Sequence, residues 1–417
     1  MPGFRCSGYR RGDCSQHARL AGRWGADGVG KGPVISESTP PRTVRELGEF
    51  PLIERINAGR VQSPAVRLGP GDDAAVLAAA RGHYVVTTDM LVQGRHFRLD
   101  WSSPRDIGRK AIAQNAADVV AMGAQPTGFV VALGCPAETA VGFVDELSAG
   151  MWDEAVRAGG SIAGGDLVRS PQLVISVTAF GDPIGPAPIT RSGARAGGTV
   201  AVAGRLGWSA AGYAVLAGGR AHTWSTQAGP TQAEPTQSGF ADVESPEADP
   251  APGKSIEDGS MTVELAEGGS AAGEFAAAVA AHRVPQPPYR VVLDALAAGA
   301  VPDALTDISD GLLADLRHMA DAAGVAIDID SAALYDPALD ALATAMDADA
   351  AQWVLTGGED HAFAAVWPPE TELPPGWARI GSVAPGHGVT VDGVSVSGGG
   401  GWESFSGADS VDRGRSR

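Results

Sequence analysis

Six short stretches of the chain place a carboxylate beside glycine or another small residue. They are Gly71-Asp72-Asp73, Thr87-Thr88-Asp89, Asn115-Ala116-Ala117-Asp118, Gly164-Gly165-Asp166, Asp307-Ile308-Ser309-Asp310-Gly311 and Gly357-Gly358-Glu359-Asp360. Carboxylates repel one another, so a site that gathers several of them needs a counter-charge, and Mg²⁺ is the usual one for hard oxygen ligands. Glycine beside an acid lets the backbone approach a bulky anion. The six motifs together predict a site for metal ions and phosphate groups.

Each motif also has a simpler interpretation when it is taken alone. The acids at 72 and 73 fit an ordinary Asp-rich turn. Asp307 and Asp310 stand before a predicted helix, where the helix dipole favours acids without any metal. Asp118 is costly to bury among the apolar residues of its helix, but it could instead lie on the exposed face. Glu359 fits a charged hairpin turn, so the prediction rests on the whole set.

The overall charge limits the kinds of partner that this chain can bind. The chain has 417 residues, of which 44% are hydrophobic, which is enough for two domains with cores of their own. Its formal net charge is -18, so nucleic acid and anionic membranes are poor candidate partners, because their phosphates attract Lys and Arg. If the chain binds phosphates, metal ions must supply most of the positive charge.

Cysteine usage and hydropathy indicate the compartment. Cys6, Cys14 and Cys135 form no Cys-x-x-Cys pair, and such a sparse, odd set argues against a disulfide scaffold. No apolar run approaches the roughly 20 residues of a membrane span, and the basic N-terminus lacks the apolar core of a secretory signal. We therefore expect a cytoplasmic location.

Two segments differ in composition from the rest of the chain. Residues 1–43 are rich in Gly, Arg and Ser without periodicity, and we expect either a disordered extension there or a start codon placed too far upstream. A glycine-rich stretch at 25–32 nearly matches a P-loop, but Gly32 stands where the Mg²⁺-binding Ser or Thr is needed, and no buried strand precedes it. Residues 221–270 are dominated by Gln, Thr, Pro, Ser and Glu, which predicts a disordered acidic insertion.

Strands and helices alternate through the remaining sequence. The patterns predict helices from Arg45 to Ile56, at 106–121, at 141–158 and at Ser209–Leu216, and a further helix that Ser309 caps and Gly324 ends. They predict strands at Val85–Thr88 ending in Asp89, at Ser161–Ala163, at Leu173–Phe180 and at Thr199–Ala203. Gly164-Gly165-Asp166 lies between the second and third of these strands. On the helix at 106–121, the spacing of Lys110, Gln114 and Asp118 places all three on one face. This alternation indicates an α/β or α+β fold.

The order and spacing of the six motifs resemble the thiamine-monophosphate kinase family. This family belongs to the ATP-binding superfamily that also holds aminoimidazole ribonucleotide synthetase and selenophosphate synthetase. The most specific matches are Thr88-Asp89-Met90-Leu91-Val92 with Gly94, His96 and Phe97 following, and Leu355-Thr356-Gly357-Gly358-Glu359-Asp360. The resemblance covers roughly 45–220 and 272–405, which is nearly everything outside the two compositionally distinct segments.

The resemblance implies ATP-dependent phosphorylation of thiamine monophosphate to thiamine diphosphate, the last step in making that coenzyme, with several Mg²⁺ ions between the anions. No catalytic side chain is implied, because metal and positioning can carry the transfer. The implied metal ligands are Asp73, Thr87, Thr88, Asp89, Asp118, Asp166, Asp307 and Asp310. The implied ATP contacts are Gly165, Asp166, Arg191 and Ser309. The implied thiamine monophosphate contacts are His96, Glu359 and Trp402, with Phe405 close enough to compete with Trp402.

The resemblance also implies a two-domain, synthetase-like fold. An N-terminal ATP- and Mg-binding domain at 44–183 would pair with a second copy through its sheet, making a homodimer. A C-terminal α/β domain at 188–410 would carry the insertion at 221–270. The N-terminal extension and the insertion depart from the family pattern, but neither touches a motif.

Two other interpretations remain open at this point. Selenophosphate synthetase would need a reactive Cys before its glycine-rich loop, and Cys6 and Cys14 lie in the predicted extension, which counts against that enzyme. A non-catalytic nucleotide- or thiamine-binding regulator is the second alternative. Such a binder would not need so many metal ligands, so the full set of acids favours the enzyme.

Overall fold

The structure of the protein is a computed structural model, and it describes residues 43–70, 74–218 and 269–396. The predicted extension, up to residue 42, lies outside the described residues, and so do residues 221–268 of the predicted insertion. Asp73, Trp402 and Phe405 also lie outside them. The first of the six motifs, Gly71-Asp72-Asp73, therefore lies wholly outside the described residues.

The described residues form helices and strands that alternate along much of the chain. The helices are α1 (Val44–Leu47), α2 (Glu49–Asn57), α3 (Pro104–Ala121), α4 (Val141–Ala158), α5 (Trp208–Leu216), α6 (Gly269–Arg283), α7 (Tyr289–Ala297), α8 (Leu312–Ala323), α9 (Pro337–Ala345) and α10 (Ala350–Thr356). The strands are β1 (Val66–Leu68), β2 (Val76–Leu77), β3 (Val85–Val92), β4 (Ala124–Cys135), β5 (Ile162–Arg169), β6 (Val174–Pro183), β7 (Thr199–Ala203), β8 (Ala304–Ile308), β9 (Val325–Ile329), β10 (Ala362–Trp367), β11 (Ala378–Pro385), β12 (Gly388–Val391) and β13 (Val394–Ser395). This mixed content confirms the predicted α/β (α+β) class.

The first large sheet has four strands in the order β3-β6-β4-β5. Only the β4–β5 pair is parallel, whereas β6 is antiparallel to both of its neighbours. Helices α3 and α4 pack on one face and form a core with it. The two helices approach closely because a Cβ on Gly108 would lie 2.0 Å from the Leu147 carbonyl oxygen, and one on Gly150 would lie 2.0 Å from that of Arg105. The opposite face of the sheet is not covered by α3 or α4.

The second large sheet has seven strands in the order β13-β12-β9-β11-β7-β10-β8. Helix α8 packs on one of its faces with its apolar stripe, which includes Leu312, Leu316 and Met319. The other face contributes Phe363 and Trp367 to the same core as the first sheet. Helix α3 thus belongs to the core that both sheets share, and it can present side chains to elements of either sheet.

Four helices make a smaller cluster beside the second sheet. Helices α5, α6, α9 and α10 bury Trp208, Leu342 and Trp353 between them. Helices α5 and α6 pack on each other although the residues that join them lie outside the described part. In the part of the chain that the structure describes, no helix combines the length and the apolar character that crossing a bilayer requires.

The structure matches the predicted helix at 141–158 and strand at 199–203, and it corrects five local predictions. The helix expected from Arg45 to Ile56 is broken at Gly48, whose φ of 86° is unfavourable for other residues. Asp89 lies inside β3 and not at its end. The helix after Asp310 is capped by Gly311 and not by Ser309. The last two residues of the insertion predicted at 221–270 already belong to α6.

The fifth correction concerns Gly164-Gly165-Asp166, which is not a turn between two strands. The three residues continue β5, which pairs with β4 from Ile162 to Arg169. A Cβ on Gly165 would lie 2.0 Å from the Val131 carbonyl oxygen of the neighbouring strand. Close packing between the strands therefore requires glycine here. In the sequence, this glycine pattern looks the same as the pattern that marks a turn.

Candidate functional site

Four of the predicted acids meet where β3 and α3 lie beside the end of β8. These acids, which we call the acidic centre, are Asp89, Asp118, Asp307 and Asp310. The Thr87 hydroxyl donates to Asp118 Oδ2 over 2.8 Å, which joins β3 to α3. Gln114 Nε2 donates to Asp89 Oδ2 over 3.1 Å and makes a second link between the same elements.

The carboxylates of the acidic centre repel one another through a poorly solvated environment. Burial raises the pKa of Asp118 to about 7, and the charges of Asp307 and Asp89 add to this rise. Burial and the charge of Asp307 also raise the pKa of Asp310. A divalent cation would remove this repulsion, so the donor set fits Mg²⁺. Among the described side chains, no three acids, histidines or cysteines already converge as a finished metal site.

Asp307 has a buried partner that sequence reasoning did not identify. The side chain of Asp307 is 4% exposed, and its Oδ2 lies 3.0 Å from Nδ1 of His361. Burial by itself lowers the pKa of His361, but the hydrogen bond to Asp307 and the nearby acids raise it above its ordinary value overall. A protonated His361 would offset part of the negative charge of the acidic centre.

The loop before α8 is fixed by a single buried acid on that helix. Asp315 Oδ2 accepts hydrogen bonds from the backbone N–H groups of Ser309, Asp310 and Gly311 over 3.0, 3.1 and 3.2 Å. Burial, together with the charges of Asp307 and Asp310, raises the pKa of Asp315 to about 7. Because these N–H groups are already bonded, Asp315 sets the direction in which the loop presents its acids.

A second group of side chains surrounds Glu359, and we call it the recognition pole. Glu359 Oε1 lies 3.0 Å from Lys110 Nζ on α3, and its Oε2 lies 3.7 Å from His282 Nδ1 on α6. The Lys110 side chain is 3% exposed, whereas that of Glu359 is 36% exposed. Burial favours the neutral acid, but opposing influences, of which the charge of Lys110 is the largest, lower the pKa of Glu359. The pole presents an ionised carboxylate to solvent.

His96 belongs to the recognition pole as well. It follows β3, and its carbonyl oxygen accepts from Lys110 Nζ over 3.1 Å. Its Nδ1 accepts from the Val92 N–H over 3.0 Å, so the proton of the neutral ring must lie on Nε2. Burial lowers the pKa of His96, which favours this neutral form. The ring can therefore donate one hydrogen bond to an anion.

The segment from 357 to 361 connects the acidic centre to the recognition pole. Glu359 and His361 both adopt left-handed backbone conformations, with φ of 65° and 51°. Such conformations are strained for these residues and often mark functional loops. Between them, Asp360 accepts from the N–H groups of Gly207 and Ser209 over 2.5 and 2.9 Å and caps α5. This anchor directs the side chains on either side of it into the two groups.

The prediction that Lys110, Gln114 and Asp118 share one face of α3 is confirmed by their contacts. Lys110 reaches Glu359, Gln114 reaches Asp89 and Asp118 reaches Thr87. Helix α3 thus runs from the recognition pole to the acidic centre, and both parts of the site are positioned by the same rigid element.

Arg191 and Ser309 lie near the acidic centre. Arg191 stands in a 3₁₀ turn and donates from Nε to the Thr306 hydroxyl over 3.1 Å. Its charge also acts on Asp310. The carbonyl oxygen of Ser309 accepts from the Glu359 N–H over 2.7 Å, which joins its loop to the segment 357–361.

Thr88 and the residues of β5 are not brought to the acidic centre. The side chain of Thr88 points to the opposite face of β3 from Thr87 and donates to the Val177 carbonyl oxygen over 2.9 Å. Asp166 pairs with Ala132 on that same exposed face. Strands β3 and β5 stand three strand spacings apart, which is about 14 Å. Within the described residues, no hydrogen bond or ion pair joins Gly165 or Asp166 to the centre.

The family comparison agrees with this arrangement of sheets and acids. Residues 71–182 match the family described as AIR synthase related protein, N-terminal domain. The first sheet and its helices thus define a protein of the AIR synthase class. A thiamine-monophosphate kinase of Mycobacterium tuberculosis (strain H37Rv) is 48% identical over 373 residues, which cover 89% of this chain and 95% of the relative. The chain belongs to the thiamine-monophosphate kinase family.

Solved structures support the same conclusion for the whole fold. The thiamine-monophosphate kinase of Stenotrophomonas maltophilia K279a is 29% identical, with a TM-score of 0.63 over 84% of this chain and 98% of that one. AaThiL complexed with AMPPCP and TMP is 26% identical, with a TM-score of 0.61 over 88% of this chain and 100% of that one. These likenesses confirm the two-domain, synthetase-like fold and the family predicted from the six motifs.

Proposed function

We propose that the protein transfers the γ-phosphoryl group of ATP to the phosphate of thiamine monophosphate, giving thiamine diphosphate and ADP. The observation that carries this proposal is the pairing of an acidic centre suited to metal and phosphate with a separate recognition carboxylate, both of which contact helix α3. The solved relative that holds AMPPCP and TMP, an ATP analogue and the monophosphate, supports both substrates.

In this reaction a phosphate oxygen of thiamine monophosphate attacks the γ-phosphorus. The new O–P bond forms as the bond from that phosphorus to the β–γ bridging oxygen breaks, and the electron pair leaves with ADP. The acceptor oxygen is already anionic at neutral pH, so no general base is needed. Catalysis then depends on holding two anions in line and reducing their repulsion.

We propose that Asp89, Asp118, Asp307 and Asp310 hold Mg²⁺ together with Thr87. Bound Mg²⁺ would supply the positive charge that two phosphate-bearing substrates require. Asp73, Thr88 and Asp166 remain proposed ligands. The side chains of Thr88 and Asp166 would need to act away from the acidic centre, on the exposed face of the first sheet.

ATP contacts are proposed for Arg191 and Ser309, and also for Gly165 and Asp166 on β5. Arg191 carries five N–H donors in a planar fork, which suits phosphate, and it lies close enough to Asp310 to act on the same group. The bond from the Ser309 N–H to Asp315 Oδ2 fixes the backbone of Ser309 in the loop before α8.

Recognition of thiamine monophosphate is proposed for Glu359 and His96, with Trp402 or Phe405 as an aromatic wall. Glu359 can accept from the amino group of the pyrimidine or face the cationic thiazolium. His96 can donate from Nε2 to the substrate phosphate, because its Nδ1 is occupied by Val92.

A homodimer is also proposed, formed through the uncovered face of the first sheet. Val86, Met90 and Val168 project from this face and are 55%, 54% and 52% exposed. Apolar side chains grouped on a sheet face indicate a contact surface. The double variant Val86→Glu/Met90→Glu should be monomeric in light scattering where the unaltered chain is dimeric, and a monomeric unaltered chain would refute the dimer.

The activity is tested with purified protein, Mg-ATP and thiamine monophosphate, by separating thiamine diphosphate and ADP chromatographically. Equal amounts of both products are expected. Selenide and a formylglycinamidine substrate serve as controls for the other enzymes of the superfamily. Turnover of either control substrate without thiamine diphosphate formation would overturn the proposal.

The metal assignment is tested by Asp118→Asn. We expect turnover to fall by more than 1,000-fold, because the charge that balances the cation is reduced at the reacting phosphates. Binding of Mn²⁺, followed by electron paramagnetic resonance, should weaken in parallel while the fold persists. Normal Mn²⁺ binding and normal turnover would remove Asp118 from the metal site.

A further inference from the structure

The side chain of Lys110 has no direct route to a substrate. It is 3% exposed. Its three N–H donors have three acceptors, namely Glu359 Oε1 at 3.0 Å and the carbonyl oxygens of His96 at 3.1 Å and His282 at 3.4 Å. An ammonium group has only three hydrogens to donate. Lys110 could bind a substrate only by giving up one of these bonds.

These three acceptors come from segments that are far apart in sequence. His96 follows β3, His282 lies at the end of α6, and Glu359 lies in the segment that connects the two parts of the site. A single buried charge on α3 therefore holds the turn after β3, the end of α6 and the recognition carboxylate in one arrangement. Removing it would release all three at once.

His282 completes the arrangement as a neutral partner. Its Nδ1 lies 3.7 Å from Glu359 Oε2 and 3.3 Å from the Ser209 hydroxyl on α5. Burial lowers the pKa of His282 to about 4, so the ring is neutral at neutral pH. The formal positive charge that faces Glu359 from α3 is thus that of Lys110.

We propose that Lys110 is a positioning residue that holds the Glu359 carboxylate in place and ionised for thiamine monophosphate. This inference rests on the proposed function for the identity of the ligand, but the arrangement of Lys110 and Glu359 can be tested without it. An ionised carboxylate whose other oxygen remains accessible is suited to a cationic ring or an aromatic amine. Without Lys110, the same group would favour its neutral, protonated form.

Arg109 offers a matched control on the same helix. It is the neighbouring residue, it also pairs with a glutamate, and its contact to Glu154 Oε2 is 3.0 Å long. That pair lies away from the recognition pole. Arg109→Met therefore removes a comparable ion pair from α3 without touching Glu359.

The experiment compares Lys110→Met with Arg109→Met. For Lys110→Met we expect KM for thiamine monophosphate to rise by about 30-fold, with KM for ATP within about twofold. The acid limb of the pH profile of kcat/KM for thiamine monophosphate should also move to higher pH. The groups that face Glu359 and could share in this shift are His96, Lys110, His282, Asp360 and His361. Arg109→Met should leave both constants and the profile unchanged.

A double variant keeps the test valid if Lys110→Met folds poorly. Lys110→Met/Glu359→Gln leaves neither charge unpaired, so it should melt at a higher temperature than Lys110→Met alone. In the Glu359→Gln background, adding Lys110→Met should change KM for thiamine monophosphate by less than about threefold, because the group that Lys110 positions is already altered.

Crystal structures of the two single variants separate this inference from the proposed function. A displaced Glu359 carboxylate in Lys110→Met, but not in Arg109→Met, would support positioning even if thiamine monophosphate proved not to be the substrate. An undisplaced carboxylate, or equal effects of Lys110→Met and Arg109→Met on both KM values, would overturn the inference.

Discussion

Two glutamates contact neighbouring residues of α3, but they differ in what they leave open. Glu154 is fully buried and receives bonds from Arg109 at 3.0 Å, from Arg157 Nε at 2.7 Å and from the Tyr289 hydroxyl at 3.1 Å. Glu359 receives one short bond from Lys110 and keeps 36% of its side chain exposed. Both carboxylates are paired with a cation, yet only the second can still accept from a ligand.

The surroundings of Glu154 show a structural purpose. Arg157 also donates to the Pro287 carbonyl oxygen over 3.1 Å and stacks over the Tyr289 ring at 4.3 Å. The group thereby ties α4 to the segment leading into α7. A buried acid with several donors stabilises the junction between elements, whereas a partly open acid with one strong donor is a binding group. Burial and unused acceptor capacity distinguish the two better than the presence of an ion pair does.

The largest effect should come from Glu154→Gln. It removes the buried charge that balances the partly buried guanidinium groups of Arg109 and Arg157, so the free energy of unfolding should fall by about 3 kcal/mol. Urea unfolding followed by circular dichroism measures this loss. KM for thiamine monophosphate should stay within twofold, and a large rise in KM would break the distinction between the two glutamates.

Glu359→Gln should produce the opposite pattern. The carboxamide cannot balance the charge of a bound cation, so KM for thiamine monophosphate should rise on the order of 100-fold. The melting temperature should fall less than in Glu154→Gln, because only one cation loses its balancing charge and the carboxamide oxygen can still accept from Lys110 Nζ. Steady-state kinetics and thermal unfolding on one preparation provide both values. A loss of stability equal to that of Glu154→Gln would make Glu359 a structural residue.

The stability contributed by His282 at the recognition pole should depend on pH, whereas that contributed by the Glu154 ion pairs should not. The folded-state pKa of His282 is about 4, below its ordinary 6.5, so the unfolded chain binds a proton in this range that the folded chain does not. The folded chain is therefore not penalised above pH 6.5, and its free energy of unfolding falls as the pH drops from 6.5 toward 4 and the unfolded chain takes up this proton. Between pH 7 and 5, the stability advantage of the unaltered chain over His282→Gln should shrink by about 2 kcal/mol.

Urea unfolding at several pH values checks the effect of His282. The matched comparison is Glu154→Gln, whose stability difference from the unaltered chain should stay nearly constant over the same range, because guanidinium groups do not titrate there. A constant difference for His282→Gln as well would mean that this histidine is not held neutral at the recognition pole.

The smallest effect should come from removing residues 221–268. These residues lie between the end of α5 and the start of α6, while the helix pair contacts the site through Ser209 at the start of α5 and His282 at the end of α6. With a short Gly/Ser linker in their place, kcat and both KM values should change by less than about twofold. Activity and melting temperature test this, and a collapse of either would show that the recognition pole depends on the deleted segment.

The sequence predicted the acids of the site better than the contacts that organise them. Glycine and acid motifs identify themselves locally, and the spacing along α3 is sufficient to place Lys110, Gln114 and Asp118 on one face. The helix at 141–158 was equally clear from its apolar period and its terminal glycines. Such features depend on neighbours within a few positions.

The partners of those acids could not be found in this way, because they come from distant positions. His282 meets Glu359 only after α6 has packed on α5, and no local pattern marks it. His361 did have a signal, since it directly follows Gly357-Gly358-Glu359-Asp360, and Asp315 is an acid within an apolar helix stripe. Gly164 and Gly165 were misinterpreted as a turn, because strand contacts and turns both select glycine.

The placement of both parts of the site on α3 has a consequence for substrate choice. Lys110 and Asp118 are eight positions apart, so at 1.5 Å per residue the helix sets them about 12 Å apart along its axis. On the proposed function, this spacing sets the distance between the Glu359 end of the site, which would contact the ring of thiamine monophosphate, and the acidic centre, which would face its phosphate. On the proposed assignment of the site, unphosphorylated thiamine held at the recognition pole would end short of the acidic centre, so we expect selection for the monophosphate to come from length as well as from charge.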